Sequence, residues 1–353
     1  MITIDEIARL ANVSKSTVSK ALNDRHDVSP ATKTKILKIA QQYHFTPNVF
    51  GKSLKSKITK NIGVIFTREK QPLSNNPFFS RILEGIEAEL AINNYNLVLN
   101  ILPDNSEGEL PRMIRERYVD GLLLIGVFHD QFVDQLSSHH LPVVQIDPKQ
   151  NRPEFSQVFI DNEHGAHVAT QYLIDAGHRK IGFISGELSR LSFKQRLDGY
   201  KKTLAHNGIA IDDNLIKAYG IEEGYEQVST LIDQEHPTAL FCTNDINAMH
   251  GYKAIHDMKL RIPDDISFIG FDDIWSAAVA APPLTTVRVY KEELGSIGVR
   301  RLLEMINSTS AQPSNTIVPV KLIVRQSVRM LQNKEDMDRS KSILNQGNFE
   351  SIV

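Results

Sequence analysis

The 353-residue chain predicts an α/β protein with an N-terminal all-α helix-turn-helix head, a short hinge and two doubly wound α/β lobes. Three observations lead to this. The first 45 residues carry only helical periodicity. From Asn61 onward, short continuous apolar runs alternate with helical stretches, which is the pattern of a buried parallel sheet. That alternation runs through twice at similar length, so two sheets are expected.

In the head, Ile4, Ile7, Ala8, Leu10 and Ala11 recur at helical spacing behind Thr3, a good N-cap. Asn12 follows, a residue that tolerates the left-handed conformation of a tight turn. Ser14 is placed to cap a second helix from Lys15 to about Asn23, with Val18, Ala21 and Leu22 inward. Ser29-Pro30 opens a third helix with a cap followed by proline at the first helical position, and Ile36, Leu37, Ala40 and Tyr43 form its expected buried stripe. Two helices joined by a few residues, the second turning small polar and basic groups outward, make the helix-turn-helix pattern. Lys15, Ser16, Thr17, Ser19 and Lys20 lie within one and a half turns and suit base edges and phosphates. Lys15, Ser16 and Lys20 are expected to reach bases, and Ser14, Thr17 and Asn23 to position phosphates. The bland alternative is a solvated three-helix bundle.

Residues 47–60, PNVFGKSLKSKITK, are basic and poorly amphipathic, and Gly51 weakens any helix there by about 1 kcal/mol relative to Ala. The segment reads either as a linker or as a hinge helix formed on DNA. Leu54 among lysines, with Lys55 beside it, is what a minor-groove wedge requires.

The expected strands of the first series are 61–66, 96–101, 121–126 and 143–147, with helices around 79–93, 107–117 and 130–138 between them. Those of the second are 157–161, 180–186, 238–245 and 266–273, and the runs 284–289 and 316–324 close the chain. The tail 332–353 is polar, lacks leucine heptads and is expected to be disordered.

Charge divides the chain. Residues 1–60 hold eleven Lys/Arg against four Asp/Glu, a net of +7, whereas the whole chain is at −2, so the remainder carries −9. A basic head on an acidic body directs a polyanion to the head alone. No apolar run approaches a membrane span, and the start lacks the order of a signal peptide, so a cytoplasmic, nucleoid-associated protein is expected. The single cysteine, Cys242, excludes an internal disulfide and a cysteine-based zinc site. His164 and His167 lie one turn apart without a third ligand at proper spacing and read as surface histidines, so neither metal nor cofactor is expected. No phosphate-binding GxxxxGK[ST] loop, GxGxxG or GxSxG elbow is present, which argues against an α/β enzyme. The basic head argues against the other rival, a sugar-binding transport protein.

The segment ITIDEIARLANVSKSTVSKALN, continued by SPATKTKILKIAQQYHFTPN and SLK, closely resembles the signature of the lactose-repressor (LacI/GalR) family of bacterial regulators. The likeness goes on through DNEHGAHVATQYLIDAGHRKIGFISG, the arginine of QRLDGY, TND after a strand, GFDD and PPLTTVRV, over roughly residues 2–330. It implies a head over 1–46 that binds a pseudo-palindromic operator as a homodimer, with Thr3 among the DNA contacts, and a hinge over 47–60. It also implies a body over 61–331 shaped like periplasmic sugar-binding proteins. Crossovers near Asp161, Arg288 and Val320 would make lobe 1 about 61–160 and 289–320, and lobe 2 about 161–288 and 321–331. Asn12 replaces the family's usual glycine, Phe50 and Gly51 stand where alanines are common, and the glutamate near the start of the third helix is missing.

Ligands of open α/β sheets sit beyond the carboxyl ends of the strands. Phe78, Phe79, Asp147, Arg190, Ser192, Arg196, Tyr219, Asn244, Asp272 and Trp275 follow expected strands. The resemblance implies effector contacts at or near all of these except Phe78 and Trp275. Aromatic rings that stack on sugar C–H faces, together with carboxylate, amide and guanidinium groups, suit a neutral sugar or short oligosaccharide. A phosphorylated or otherwise anionic effector clamped by Arg190 and Arg196 is the alternative. Phe78 and Phe79 read equally as core, Asp272 as a cap, Trp275 as surface packing and Arg196 as a helix-surface charge. A repressor of carbohydrate-utilisation genes is the function these expectations add up to.

Overall fold

The computed structural model describes residues 2–22, 24–25, 27–43, 45, 58–67, 73, 76–102, 110–219, 224–308 and 310–331. Asn23, Leu54, Lys55, most of the hinge and the tail 332–353 lie outside the described residues. The chain separates into two compact units, Met1–Thr59 and Lys60–Val353.

The first unit holds α1 (Ile4–Ala11), α2 (Lys15–Leu22) and α3 (Pro30–Gln42). Thr3 and Glu6 close a reciprocal capping box: the Glu6 amide donates to Thr3 Oγ1 at 3.3 Å and the Thr3 amide donates to Glu6 Oε2 at 2.8 Å. Asn12 takes the left-handed conformation, φ 57°, and turns the chain into α2. Ser14 Oγ accepts from the Thr17 amide at 3.1 Å, and Ser29 Oγ from the Thr32 amide at 3.3 Å. The core is Ile7, Ala8, Ala11, Val18, Ala21, Ile36 and Ala40. Leu10, Leu37 and Tyr43, expected inside, are exposed. A helix with two neighbours buries a narrow stripe. Leu10 and Leu37 stand on its flanks, and Tyr43 is the C-cap of α3, at the end of the packed stripe.

The second unit is built from two six-stranded sheets. The first comprises β1 (Asn61–Thr67), β2 (Asn96–Leu102), β3 (Gly121–Ile125), β4 (Val143–Ile146), β5 (Ser156–Ile160) and β11 (Asn315–Val318), in the order β11-β5-β4-β3-β1-β2. The second comprises β6 (Ile181–Ser185), β7 (Ile216–Ala218), β8 (Ala239–Cys242), β9 (Ser267–Asp272), β10 (Thr285–Val289) and β12 (Val320–Ile323), in the order β12-β10-β9-β8-β6-β7. All pairings are parallel except β10 with β12. Each sheet therefore has the doubly wound order whose switch point falls between its first and third strands, β1/β3 and β6/β8. Central strands such as β3, β6 and β9 are buried along their whole length, as their unbroken apolar runs require. The single run 316–324 divides at Pro319 into β11 and β12, one in each sheet. Proline has no amide to continue a ladder, and the chain changes sheets there.

The first sheet carries α4 (Pro77–Ile92), α5 (Arg112–Arg115), α6 (Asp130–Ser137) and α12 (Lys291–Asn307). The helix expected over 107–117 has only α5 among the described residues, with Pro111 at its N-cap, since a residue before proline avoids helical geometry. The second sheet carries α7 (Asn162–Asp175), α8 (Leu191–His206), α9 (Gly224–Glu235), α10 (Asp245–Asp257) and α11 (Trp275–Val279). The chain passes between sheets after β5, after β10 and between β11 and β12. Helices α4 and α12 cross at backbone distance: a Cβ added at Gly85 would lie 2.0 Å from the Glu292 carbonyl oxygen, and one at Gly295 would lie 2.3 Å from that of Ile82.

His178, buried in the turn after α7, ties the end of the described chain to the second sheet. Its Nε2 lies 3.1 Å from the Arg329 carbonyl oxygen and its Nδ1 2.9 Å from Thr238 Oγ1, which is the pattern of a neutral imidazole donating from Nε2. Burial pushes its pKa down to about 4 from 6.5. Because the folded value is the lower one, the unfolded chain binds more protons between these limits. The stability that depends on neutral His178 is present above pH 6.5 and is lost as pH falls toward 4, on the order of 3 kcal/mol. Urea titrations at stepped pH are expected to show this acid loss in the wild type and a flatter profile in His178→Gln.

Candidate functional site

Helix α2 turns a polar face to solvent. Ser14, Lys15, Ser16, Ser19 and Lys20 are exposed on the head, and Thr17 is half-buried. Ser14 Oγ lies 2.7 Å from Ser16 Oγ and 2.8 Å from Thr17 Oγ1, so the hydroxyls form one connected group. Lys15 pairs with Asp5, and Lys20 with Asp27 at 2.5 Å. Exposed pairs of this kind contribute about 0–1 kcal/mol, so a phosphate or a base edge can replace the acid at little cost. Thr3 is exposed and engaged in its capping box.

In the body, the carboxyl ends of β8 and β9 meet α8 around one guanidinium. Arg196, on α8, is 3% exposed. Its Nε donates to Asn162 Oδ1 at 2.9 Å, and its Nη1 donates to the Thr243 carbonyl and reaches Asp272 Oδ1 at 3.5 Å. Its plane stacks on Phe271, 3.6 Å from the ring centroid. Burial lowers its pKa, and the Asp272, Asp147 and Asp245 carboxylates oppose that shift. Asp272 is pushed up to about 6, chiefly by burial and further by Asp147, with Arg196 and Lys291 pulling it back. Asp147, half-buried after β4 of the first sheet, lies within electrostatic range of Arg196 and Asp272 of the second.

The other expected residues divide. Arg190 and Arg196 flank the Phe193 ring, each 5.8 Å from its centroid, and Ser192 is buried in the first turn of α8. Asn244 caps α10, its Oδ1 accepting from the Asn247 amide at 2.8 Å. Phe78 and Phe79 are buried in an apolar cluster in edge-to-face contact, with Phe79 also 5.9 Å from Phe66 at the end of β1. Tyr219 is exposed beyond β7. Trp275 is 79% exposed and borders a pocket of about 570 Å³ shared with Ser80, Asp273, Arg288, Tyr290 and Lys291. A second pocket of about 660 Å³ holds His164, His167 and His206, and His167 Nδ1 lies 2.9 Å from Thr203 Oγ1. Among the described residues, no group of three His, Cys, Asp or Glu side chains is arranged to hold a metal ion.

Three participants were not among the expected contacts. Asn162 holds Arg196 and donates to Gln195 Oε1 at 3.0 Å. Asp245, fully buried, accepts from the Ile274 amide at 2.9 Å and from Thr286 Oγ1 at 2.6 Å, and so fixes the backbone just past Asp272. Lys291 reaches the backbone of the Asp272–Asp273 turn. The TND motif pointed at Asp245, but no local pattern marked Asn162 or Lys291.

Residues 3–48 match the family model for bacterial regulatory proteins of the lacI family, and residues 170–328 match a periplasmic binding protein-like domain. The ribose operon repressor of Haemophilus influenzae is 34% identical over 94% of this chain and all of its own length. The HTH-type transcriptional repressor PurR of Photobacterium profundum is 35% identical over the same shares. The chain belongs to the LacI family. Among solved structures, a lac repressor dimer bound to operator and the anti-inducer ONPF matches with a TM-score of 0.81 at 25% identity over 93% of this chain and 99% of that one. A CelR–cellobiose complex matches with a TM-score of 0.72 at 27% identity over 93% and 100%. This LacI-family chain is a DNA-binding transcriptional repressor and not an enzyme. Among the described residues, no helix is long and apolar enough to cross a membrane.

Asp245 supplies a pH test of the site. Burial, and then the Asp272 charge, push it up to about 8. A raised carboxyl pKa means the folded state holds the proton longer, so its contribution to stability is full below about pH 4 and is lost as pH rises toward 8. Asp245→Asn can still accept from the Ile274 amide and can donate its amide to Thr286 Oγ1, and it never ionises. Its stability, from urea midpoints at pH 5 and pH 8, is expected to fall less over this interval than that of the wild type.

Proposed function

We propose that this repressor binds a pseudo-palindromic operator as a homodimer through α2, and that a neutral, hydroxyl-rich molecule controls it. The effector is a sugar or short oligosaccharide held between the carboxyl ends of the two sheets, and the regulated genes serve carbohydrate use. The carrying observation is the cluster of Arg196, Asn162 and Asp272 at the carboxyl ends of the second sheet, with Asp147 of the first sheet within electrostatic reach. Carboxylates accept from paired hydroxyls and a guanidinium donates to them, so a polyol satisfies both sides at once. A ligand held by both lobes favours the arrangement in which they lie closest, and only that difference in affinity can shift the equilibrium.

The anionic alternative needs uncompensated positive charge. The Arg196 charge is already balanced by the Asp272 carboxylate, and Asp147 adds a further negative charge within reach, so an anion gains little there. The ribose operon repressor among the relatives and a LacI-family structure from Enterococcus faecium with bound ribose support the polyol reading.

Two experiments test the reading. In gel shifts on selected operator sequences, Lys15→Ala and Lys20→Ala are each expected to cost about 1–3 kcal/mol of specific binding and to relax base preference. Unchanged preference in both would remove α2 from the reading. In calorimetry against a panel containing D-ribose and cellobiose, Asp272→Asn is expected to weaken the bound sugar by about 10- to 100-fold, the loss of one charge-assisted hydrogen bond. An equally tight Asp272→Asn variant would move the site elsewhere.

A further inference from the structure

The turn that carries Asp272 is strained and heavily braced. Asp272 has φ 106° and Asp273 φ 53°, two consecutive non-glycine residues in the left-handed region. Such a pair persists only when its surroundings hold it. Asp273 accepts from Arg288 Nε at 2.6 Å and from Arg325 Nη2 at 2.6 Å, and the next amide, that of Ile274, is held by Asp245. Arg288 and Asp245 belong to the second sheet and its helices, and Arg325 follows β12 of that sheet.

Lys291 is different. It is the first residue of α12, and α12 packs on the first lobe against α4 and strands β3, β4 and β5. Its side chain turns back across the chain crossover at Tyr290. The ammonium, on a residue 5% exposed, donates to the carbonyls of Asp272, of Asp273 at 3.3 Å and of Val289 at 3.2 Å. Three donors meet three carbonyls, so the ammonium is fully used by backbone alone. Rotation of α12 about the crossover would pull the ammonium from the turn and leave both a buried cation and two strained carbonyls without partners.

We propose that Lys291 is a positioning residue that locks the crossover after β10, holding the Asp272 turn in its strained form and setting the resting angle between the lobes. The lock joins the first lobe to the turn that aims Asp272 toward Arg196. A ligand that displaces Asp272 would load the crossover directly, and lobe rotation would in turn re-aim Asp272. The inference rests on the proposed effector reading only where it calls Asp272 a ligand-binding group. The lobe angle itself can be measured without a ligand.

Spin labels on Ser137→Cys in the first lobe and Ala205→Cys in the second report that angle in the full-length protein. Both positions are exposed, whereas the native Cys242 is buried and escapes labelling. Unlabelled protein in excess removes distances between subunits. The wild type is expected to give one narrow distance distribution. Lys291→Met, which keeps the stem and removes the charge, is expected to broaden it or to add a second, shifted population, and Lys291→Arg is expected to restore the narrow one. A Lys291→Met distribution that overlays the wild type would overturn the proposal, as would broadening that Lys291→Arg does not reduce. If circular dichroism finds Lys291→Met unfolded, Lys291→Gln, which keeps two donors, is read by the same criteria. Sugar calorimetry is independent: an effector found elsewhere would refute the cleft reading and leave the lobe-angle result standing.

Discussion

A guanidinium withdrawn from water must find compensation for nearly all its donors, or the fold does not tolerate it. Arg196 is that group in the body, and its compensation draws on separate parts of the chain. Asn162 comes from the residue that opens α7 after the first crossover, Thr243 from the end of β8, and Phe271 and Asp272 from the end of β9. These segments lie far apart in sequence and adjacent in the doubly wound order. The demand of one buried cation therefore fixes the ends of two neighbouring strands and the start of a helix relative to one another. A second buried carboxyl, Asp245, holds the backbone just past Asp272, and its high pKa follows from its own burial and then from the Asp272 charge.

This arrangement explains which parts of the site were legible in the sequence. Parallel strands buried on both faces read as unbroken apolar runs, so their carboxyl ends were easy to locate, and Asp147, Asn244 and Asp272 were found as polar residues at those ends, with Arg196 in the helix that follows one of them. The structure joins Arg196 to Asp272, leaves Asp147 within electrostatic reach of both, and gives Asn244 a cap to make. Trp275 and Tyr219 share the same sequence logic but are exposed, because position after a strand does not determine which way a side chain leaves the backbone. Asn162 and Lys291 were invisible because their partners are a side chain 34 residues away and backbone carbonyls across a crossover, and neither relation leaves a local pattern. The same limit applied to Leu10, Leu37 and Tyr43: spacing identifies a candidate face, while the number and reach of neighbouring helices decide how much of it is covered.

The head and the body use charge in opposite ways. On α2 the lysines are exposed and their acidic partners are near neighbours, so exchange of a carboxylate for a phosphate changes little in solvation. Such a surface is ready for a polyanion without reorganising. In the body the charges are buried and mutually dependent, and each change of partner leaves another group unsatisfied. Electrostatics of the first kind gives affinity that varies with salt, and electrostatics of the second kind gives a small number of allowed arrangements.

That second property is what a ligand-controlled regulator requires. A cleft lined by independent polar groups would yield gradually to any ligand and transmit nothing. A turn in which Arg196 and Lys291 both hold Asp272, and Asp245 holds the Ile274 amide just beyond, resists small displacements, because moving Asp272 strains the turn at Asp273 and loads the ammonium that crosses to the first lobe. Close packing between α4 and α12, where glycines bring backbones into contact, carries such a load as a rigid movement instead of absorbing it. Strain held by buried charge at a crossover, with stiff helices beyond it, favours a few discrete lobe positions over a continuum, and discrete positions are the condition under which binding at one site can alter another.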